Sequence, residues 1–266
     1  MFSLLVHLTH ADFPFRKSHT YTKGVSLLFR DSLDPSIPAT DPSIDRLSDA
    51  FNKHICITDH KATVRERVGP WIFEYGASSF FQNNNSVLPP LTNYVRDAIF
   101  PDGTESTTLT HLVDAYCGAG LFAIVLSPYF QKVAGIELSQ DSIRSATRNA
   151  ELNNIPSDKI SFRAGDAGEI FAAVSEFPKD NTAVLIDPPR KGCDEFFINQ
   201  LLAFAPKTVV YVSCNVHTQA RDVGMIMEKG KEEGVVKYKL ESVQGYDLFP
   251  QTAHVESVAV LRRIDP

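Results

Sequence analysis

From Leu112 onward, short apolar runs alternate with capped or amphipathic stretches, and this alternation limits what the chain can fold into more than any other feature. The strand-like runs are His111–Tyr116, Lys132–Glu137, Ile160–Arg163, Ala183–Asp187 and Thr208–Ser213. Between them lie helix-like stretches, notably Ser139–Asn153, with Ser139 placed to cap it, and Glu195–Phe204; a further helix is expected near Thr218–Lys229. Repeated β-α units predict a mostly parallel sheet covered by helices on both faces. Two later runs, Val235–Val243 and His254–Arg262, would add an antiparallel finish and bring the sheet to seven strands.

The first 80 residues follow another pattern. They hold scattered short apolar runs without a clear core period, and a Pro/Ser/Asp-rich stretch, Asp31–Asp49, that reads as a mobile loop. We therefore expect a β-rich remnant over 1–78, appended or truncated, and a catalytic domain over 79–266. The opening Met-Phe-Ser-Leu-Leu-Val-His-Leu lacks a basic leader and is expected to be an ordinary strand, not a secretory signal. No run approaches the roughly 18 apolar residues of a membrane span. Cys56, Cys117, Cys193 and Cys214 form no Cys-x-x-Cys pair, so neither a zinc site nor an iron–sulfur cluster is expected, and free thiols fit a reducing, intracellular compartment. Cytoplasm, nucleus and mitochondrion stay open. The net charge of −6 counts against a dedicated nucleic-acid binder. Residues 1–100 carry ten acids and ten bases, so the whole excess lies in 101–266.

Three strand ends carry chemistry. Asp114-Ala-Tyr-Cys-Gly-Ala-Gly-Leu-Phe122 follows a strand and opens a helix, and Gly118 and Gly120 allow a tight turn close to a ligand. A dinucleotide fingerprint would place a third glycine where Ala123 stands. Its absence favours a nucleoside cofactor without phosphates, such as S-adenosylmethionine. The next strand ends in Glu137, 17 residues beyond Gly120, where an acid can accept from both ribose hydroxyls. Asp166 is a weaker candidate for the adenine edge and equally a helix cap. Asp187-Pro-Pro-Arg190 holds a carboxylate rigidly at the sheet edge, and Arg190, where an aromatic would serve amino-group methylation, argues against that reaction. Tyr211-Val-Ser-Cys-Asn-Val-His sets Cys214 at the mouth of a strand, and Asp247-Leu-Phe-Pro-Gln-Thr-Ala-His-Val-Glu256 can bring a carboxylate to the same mouth. Arg190 and Arg221 suit RNA phosphate or a salt bridge equally, and His254 suits a group that positions Glu256.

Taken together, Phe81-Gln-Asn-Asn, Asp114-Ala-Tyr-Cys-Gly-Ala-Gly, Gly135-Ile-Glu, Asp187-Pro-Pro-Arg-Lys-Gly, Val212-Ser-Cys-Asn and the closing Phe-Pro-Gln-Thr-Ala-His-Val-Glu resemble the RNA uracil-C5-methyltransferase family, which makes 5-methyluridine in tRNA and ribosomal RNA. The resemblance runs from about Phe80 to Arg262. It implies a Rossmann-like α/β fold, S-adenosylmethionine as cofactor, no metal, and RNA as partner, with the T-loop uridine of tRNA as the first expectation. It implies Cys214 as nucleophile and Glu256 as base, with Gln82, Tyr116, Glu137 and Asp187 lining the cofactor site. The run Gln82-Asn-Asn-Asn-Ser86 and the lack of cluster cysteines resemble the eukaryotic tRNA enzymes. Val216 and Leu248 replace residues usual in the family, proline and methionine, by apolar swaps. Family members usually carry a small RNA-binding β-barrel and a complete central domain before the catalytic one. The expectation here is an N-terminally truncated version of that arrangement.

The chemistry explains these residue types. Uracil C5 does not attack a sulfonium methyl unaided, but a thiolate adding at C6 makes an enolate whose C5 does. A carboxylate then removes the C5 proton and the cysteine is expelled. Cys214 therefore needs thiolate character, which a strand end beside a helix N-terminus is expected to supply. The target base must also leave its stack. Three other readings remain: a non-catalytic RNA-binding or RNA-folding protein that keeps this fold, a uracil-C5 methyltransferase acting on ribosomal RNA and, more weakly, a methyltransferase acting on nitrogen.

Overall fold

A computed structural model of the chain describes residues 4–8, 25–39, 45, 48, 51–103, 108–165, 171–232 and 234–265. The N-terminal part is an antiparallel sheet of β1 (Leu4–Leu8), β2 (Val25–Leu33), β3 (His54–Ile57), β4 (Thr63–Val68) and β5 (Trp71–Gly76). Strand β2 pairs with β1, β3 and β4, and β4 pairs with β5. A core pattern that the sequence did not reveal is present here: Val64, Val68, Ile72, Phe73 and Tyr75 are buried. The stretch expected as a mobile loop begins inside β2, and its Leu33 and Ala39 pack with Phe51 and Ile72. Of the rest of that stretch, only Asp45 and Ser48 are described.

The outer edge of β5 would leave backbone groups unpaired. Two asparagines of α3 (Gln140–Leu152) and its C-terminal cap close it: Ile72 N–H donates to Asn153 Oδ1 at 2.9 Å, and Glu74 N–H donates to Asn149 Oδ1. Asn149 also donates to Ala119 O at 3.0 Å, which ties the sheet to the glycine loop. Residues on both sides of the expected 78/79 boundary share one core, with Val64, Phe73 and Tyr75 packed in the same cluster as Leu91, Leu112 and Val212.

After β5 the chain crosses Ser79–Val87 and enters α1 (Leu88–Ile99), a helix that the double proline after Leu88 concealed in the sequence. Proline is tolerated in a first helical turn, where its missing N–H has no intrahelical partner. The large sheet follows: β6 (His111–Ala115), α2 (Leu121–Leu126), β7 (Lys132–Glu137), α3, β8 (Ile160–Ala164), β9 (Thr182–Ile186), α4 (Glu195–Phe204), β10 (Thr208–Ser213), α5 (Val216–Lys229), β11 (Lys237–Tyr246) and β12 (Glu256–Ile264). Every side chain of β9 and β10 is buried, as in strands covered on both faces.

The sheet order is β11-β12-β10-β9-β6-β7-β8. The closing pair is antiparallel as expected, but β12 inserts between β10 and β11, so β12 alone opposes the other six strands. From β6 the chain winds outward through β7 to β8, then returns beside β6 as β9 and winds the other way. That reversal opens a crevice beyond the carboxyl ends of β6 and β9, where open α/β sheets bind their ligands. Among the described residues, no helix is long and apolar enough to cross a membrane.

Candidate active site

The crevice is a cleft of about 750 Å³, within the range of small-molecule sites. Gln82, Tyr116, Gly118, Glu137, Asp187, Cys214 and Glu256 all line it. They arrive from six separate places: the Ser79–Val87 crossing and the ends or starts of β6, β7, β9, β10 and β12. Gly120 does not line the cleft. It enters α2 at φ +87°, and a side chain there would meet Ala146, Ile124 and Phe162 at 3.2 Å, so its contribution is close packing of the turn.

The β6 loop is drawn tight by Gly120 N–H donating to Cys117 O at 2.8 Å, and Tyr116 adopts φ +64°, a conformation costly for a non-glycine residue and common at ligand sites. Gly118 at φ +53° has no atom within 4 Å of where a Cβ would stand, which leaves open space over its backbone. Glu137 is fixed by two backbone donors, Ser139 N–H at 2.9 Å and Gly118 N–H at 3.2 Å. A carboxylate has about four acceptor positions, so acceptor capacity remains for a ligand. Ser139 caps α3 as expected, accepting from Ser142 N–H at 3.2 Å. Asp166 lies outside the described residues.

Opposite, the Asp187–Cys193 loop is clamped by α5. Asn215 Nδ2 and Thr218 Oγ1 both donate to Arg190 O, at 3.0 and 3.2 Å. Asp222, fully buried, accepts from Cys193 N–H at 2.7 Å and from the Tyr211 hydroxyl at 2.6 Å. Arg221 pairs with Asp222 and donates to Lys191 O and Cys193 O, so of its two expected roles the salt bridge is the one present. His254 is exposed, its ring edge-on to Phe249 at 6.0 Å.

Four carboxyl groups, those of Glu137, Asp187, Asp194 and Glu256, line the cleft beside two bases, Arg190 and Lys191. Glu256 is 1% exposed and neither of its carboxylate oxygens has a partner; Gln82 Oε1, also buried, is unpartnered as well. These atoms at the cleft wall are acceptors, a set that suits a ligand offering positive charge and N–H or O–H donors and repels phosphate. Burial pushes both Glu256 and Asp187 well above the usual carboxylate range, and the negative charge of Asp187 adds to the shift at Glu256. Cys214 is half-buried, while Cys117 and Cys193 are buried thiols that burial raises further, Cys193 to about 12.

The expected lowering of the Cys214 pKa is not found. Burial first, then Glu256 and Asp187, hold the thiol above its ordinary value, and only the Arg190 guanidinium beside it acts the other way. The α5 N-terminus gives little help, since Asn215 Oδ1 already accepts His217 N–H from its first turn. Ligand positive charge entering this acidic cleft would relieve that repulsion. Phe249 of the closing motif also lines the cleft, as do Phe80 and Leu138, which were not singled out from the sequence. Phe80 and Leu138 are each 71% exposed, and an apolar side chain flanking a motif on an otherwise polar stretch was the available signal. Among the described residues no group of three His, Cys, Asp or Glu side chains is placed to hold a metal.

Comparison with known proteins bears on these features. Residues 43–264 match the family described as tRNA (Uracil-5-)-methyltransferase. The chain is 45% identical over 252 residues to the tRNA (uracil(54)-C(5))-methyltransferase of Schizosaccharomyces pombe, covering 93% of this chain and 44% of that protein. It is 41% identical to the Saccharomyces cerevisiae protein of the same description, covering 92% of this chain and 41% of that one. It thus spans less than half the length of either relative. Among solved structures, the Pyrococcus abyssi tRNA (uracil-54, C5)-methyltransferase in complex with S-adenosyl-L-homocysteine superposes with a TM-score of 0.59 at 27% identity, over 82% of this chain and 48% of that one.

Proposed function

Because the chain belongs to the tRNA (uracil-5-)-methyltransferase family, we propose that it methylates C5 of a uridine in RNA, the T-loop uridine of tRNA foremost, with S-adenosylmethionine as donor. The observation that carries this reading is a half-buried thiol, Cys214, sharing one cleft with a buried carboxylate, Glu256, that has no protein partner. A carboxylate buried without a partner costs several kcal/mol and is kept where a ligand uses it.

The acceptor-rich wall fits the cofactor. Glu137 would take the ribose hydroxyls, Gln82 the amino-acid end, and Asp187 the neighbourhood of the positive charge, over the open backbone of Gly118. When bound, S-adenosylmethionine supplies an electrophilic methyl group. Cys214 adds its thiolate to C6 of the uracil, which places electron density on C5. Arg190, beside the thiol, favours its ionised form. After C5 is methylated, Glu256 accepts the C5 proton, the C5–C6 double bond re-forms, and the thiolate leaves. The raised pKa of Glu256 makes it a stronger base once ionised, as a proton acceptor from carbon requires.

The test is transfer of labelled methyl to a T-arm RNA. The reading expects product in the wild type and none in Cys214→Ala, with S-adenosylhomocysteine still bound by the variant. Normal turnover by Cys214→Ala would overturn the covalent mechanism.

A further inference from the structure

Two adjacent asparagines on the Ser79–Val87 crossing reach in opposite directions. Asn85 Nδ2 donates to Glu66 Oε2 at 3.1 Å, on the N-terminal sheet. Asn84 Nδ2 donates to Asp247 O at 3.2 Å, on the loop that carries Phe249 and ends at Glu256. Asn84 is buried, and its Oδ1 accepts from Ser86 Oγ at 2.7 Å, which fixes the amide with its N–H2 toward Asp247. Gln82 stands two residues before it, in the cleft.

The two sides of this link are not equally secure. The Gln82 side is held several times over from the N-terminal sheet: Arg30 donates to Ser79 O at 2.8 Å, and Phe81 stacks on Tyr75 with ring centroids 4.6 Å apart. The Glu66 that receives Asn85 is itself bonded by the Tyr75 hydroxyl. The 247–255 loop has far less. Leu248 is buried, but the loop's other hydrogen bonds stay local, as with Thr252 N–H to Phe249 O at 3.2 Å and His254 N–H to Thr252 Oγ1 at 3.1 Å. Residues 251–255 are all exposed. Among the described residues, the Asn84 bond is the one polar link from this loop to the wall across the cleft.

We propose that Asn84 is a positioning residue: it uses the crossing, anchored on the N-terminal sheet, as a fixed post from which it sets the Glu256 loop for proton removal. The N-terminal sheet then contributes to the chemistry through the Asn85–Asn84 pair, apart from any contact with RNA. The kinetic part of this assignment rests on the methyltransferase reading above. Its structural part does not, because it concerns the ligand-free protein.

Asn84→Asp is the variant of choice. When ionised it keeps the shape and the Ser86 bond while removing the donor to Asp247; Asn84→Ala, which brings no carboxyl that could protonate and donate in its place, checks the result. The first readout is amide hydrogen exchange without ligand. Exchange should accelerate roughly three- to tenfold in 247–255, about the worth of one hydrogen bond, and stay unchanged in 79–83. The second is kinetic: S-adenosylhomocysteine affinity and KM for RNA hold, kcat falls by a similar factor, and the Cys214–RNA adduct accumulates because its resolution needs Glu256. Unchanged exchange in 247–255 overturns the proposal, whatever the activity. A fall in cofactor affinity that matches the fall in kcat also overturns it, since the bond would then be serving the Gln82 side. A wild type that shows loop protection but neither methylates nor forms an adduct refutes the methyltransferase reading and the kinetic role together, and leaves the structural link standing.

Discussion

Replacing Asp114 with asparagine should change the pH dependence of stability by an amount that the structure fixes. The Asp114 carboxyl is fully buried beneath the glycine loop; Oδ2 accepts from Ala123 N–H at 2.8 Å and Oδ1 has no partner. Burial, with the charges of Asp187 and Glu137 adding to it, outweighs the Ala123 N–H and pushes the pKa from 3.8 to about 8. A carboxyl raised in this way contributes stability that is complete below its unfolded pKa and is lost as pH rises through the folded one. For Asp114 the losing window therefore runs from 3.8 to about 8. Within it the slope is roughly 1.4 kcal/mol per pH unit. Asparagine keeps an oxygen for Ala123 N–H and cannot ionise, so the variant lacks this slope. Its amide N–H2 takes the unpartnered position at a cost of about 1–3 kcal/mol, which does not vary with pH. Between pH 5 and pH 7 the variant should therefore gain roughly 3 kcal/mol on the wild type. The buried acids that do not interact with Asp114 are common to both proteins and cancel; Asp187 and Glu137, which do, raise Asp114 only while ionised, and the partial protonation of Asp187 over this range reduces the difference somewhat. Urea unfolding of both at pH 5, 6 and 7 measures the difference. Parallel stability curves would show that Asp114 is ionised in the folded protein and would refute the argument.

Other expectations follow from the same geometry. Cys214 should alkylate with iodoacetamide faster in Glu256→Gln, by about two- to tenfold above pH 8, and more slowly in Arg190→Ala, because each change removes a charge that shifts the thiol pKa. Turnover should climb from pH 6.5 to pH 9, since the proposed nucleophile and proton acceptor would both act deprotonated and both have raised pKa values; a flat profile across that range would contradict the roles proposed for them. Glu137→Gln should weaken S-adenosylhomocysteine binding about tenfold or more by calorimetry, as a charged acceptor is lost. Gly135→Ala should lower stability by about 1–3 kcal/mol in thermal unfolding, because a Cβ there overlaps the Phe162 ring and stands 3.0 Å from Cys117 Sγ.

What the sequence made legible was local. The five parallel strands could be read within a residue or so, because runs such as Thr208–Ser213 are buried on both faces and therefore apolar throughout. Ser139 caps α3 with its side-chain oxygen, and such a cap leaves a signature within four residues. The insertion of β12 between β10 and β11 left no such trace. It depends on pairings such as Tyr211 with Ala259, 48 positions apart, which no local period encodes. The β-rich character of the N-terminal part was legible, but its core pattern stayed hidden because buried Arg65 pairs with half-buried Glu74 and the two break the apolar alternation.

The site shows the same division. That Cys214, Glu256, Glu137 and Asp187 come together at one cleft was legible because strand ends are conspicuous and their residue types are chemically pointed. The raised Cys214 pKa was not, since it depends on burial and then on Glu256 and Asp187 approaching from separate strands. Asn84 was one more asparagine in a polar run until its partner on the 247–255 loop was known.

The most direct test of the central claim is to incubate the protein with S-adenosylmethionine and a T-arm RNA carrying 5-fluorouridine at the target position. Fluorine at C5 cannot leave as a proton, so Glu256 has nothing to remove and the reaction stalls with the protein attached to C6. The account predicts a species that survives denaturing electrophoresis, with the RNA mapped to Cys214 by peptide mass spectrometry. An adduct on another residue, or methylation of the uridine-bearing RNA with no adduct on its fluorinated counterpart, would contradict it.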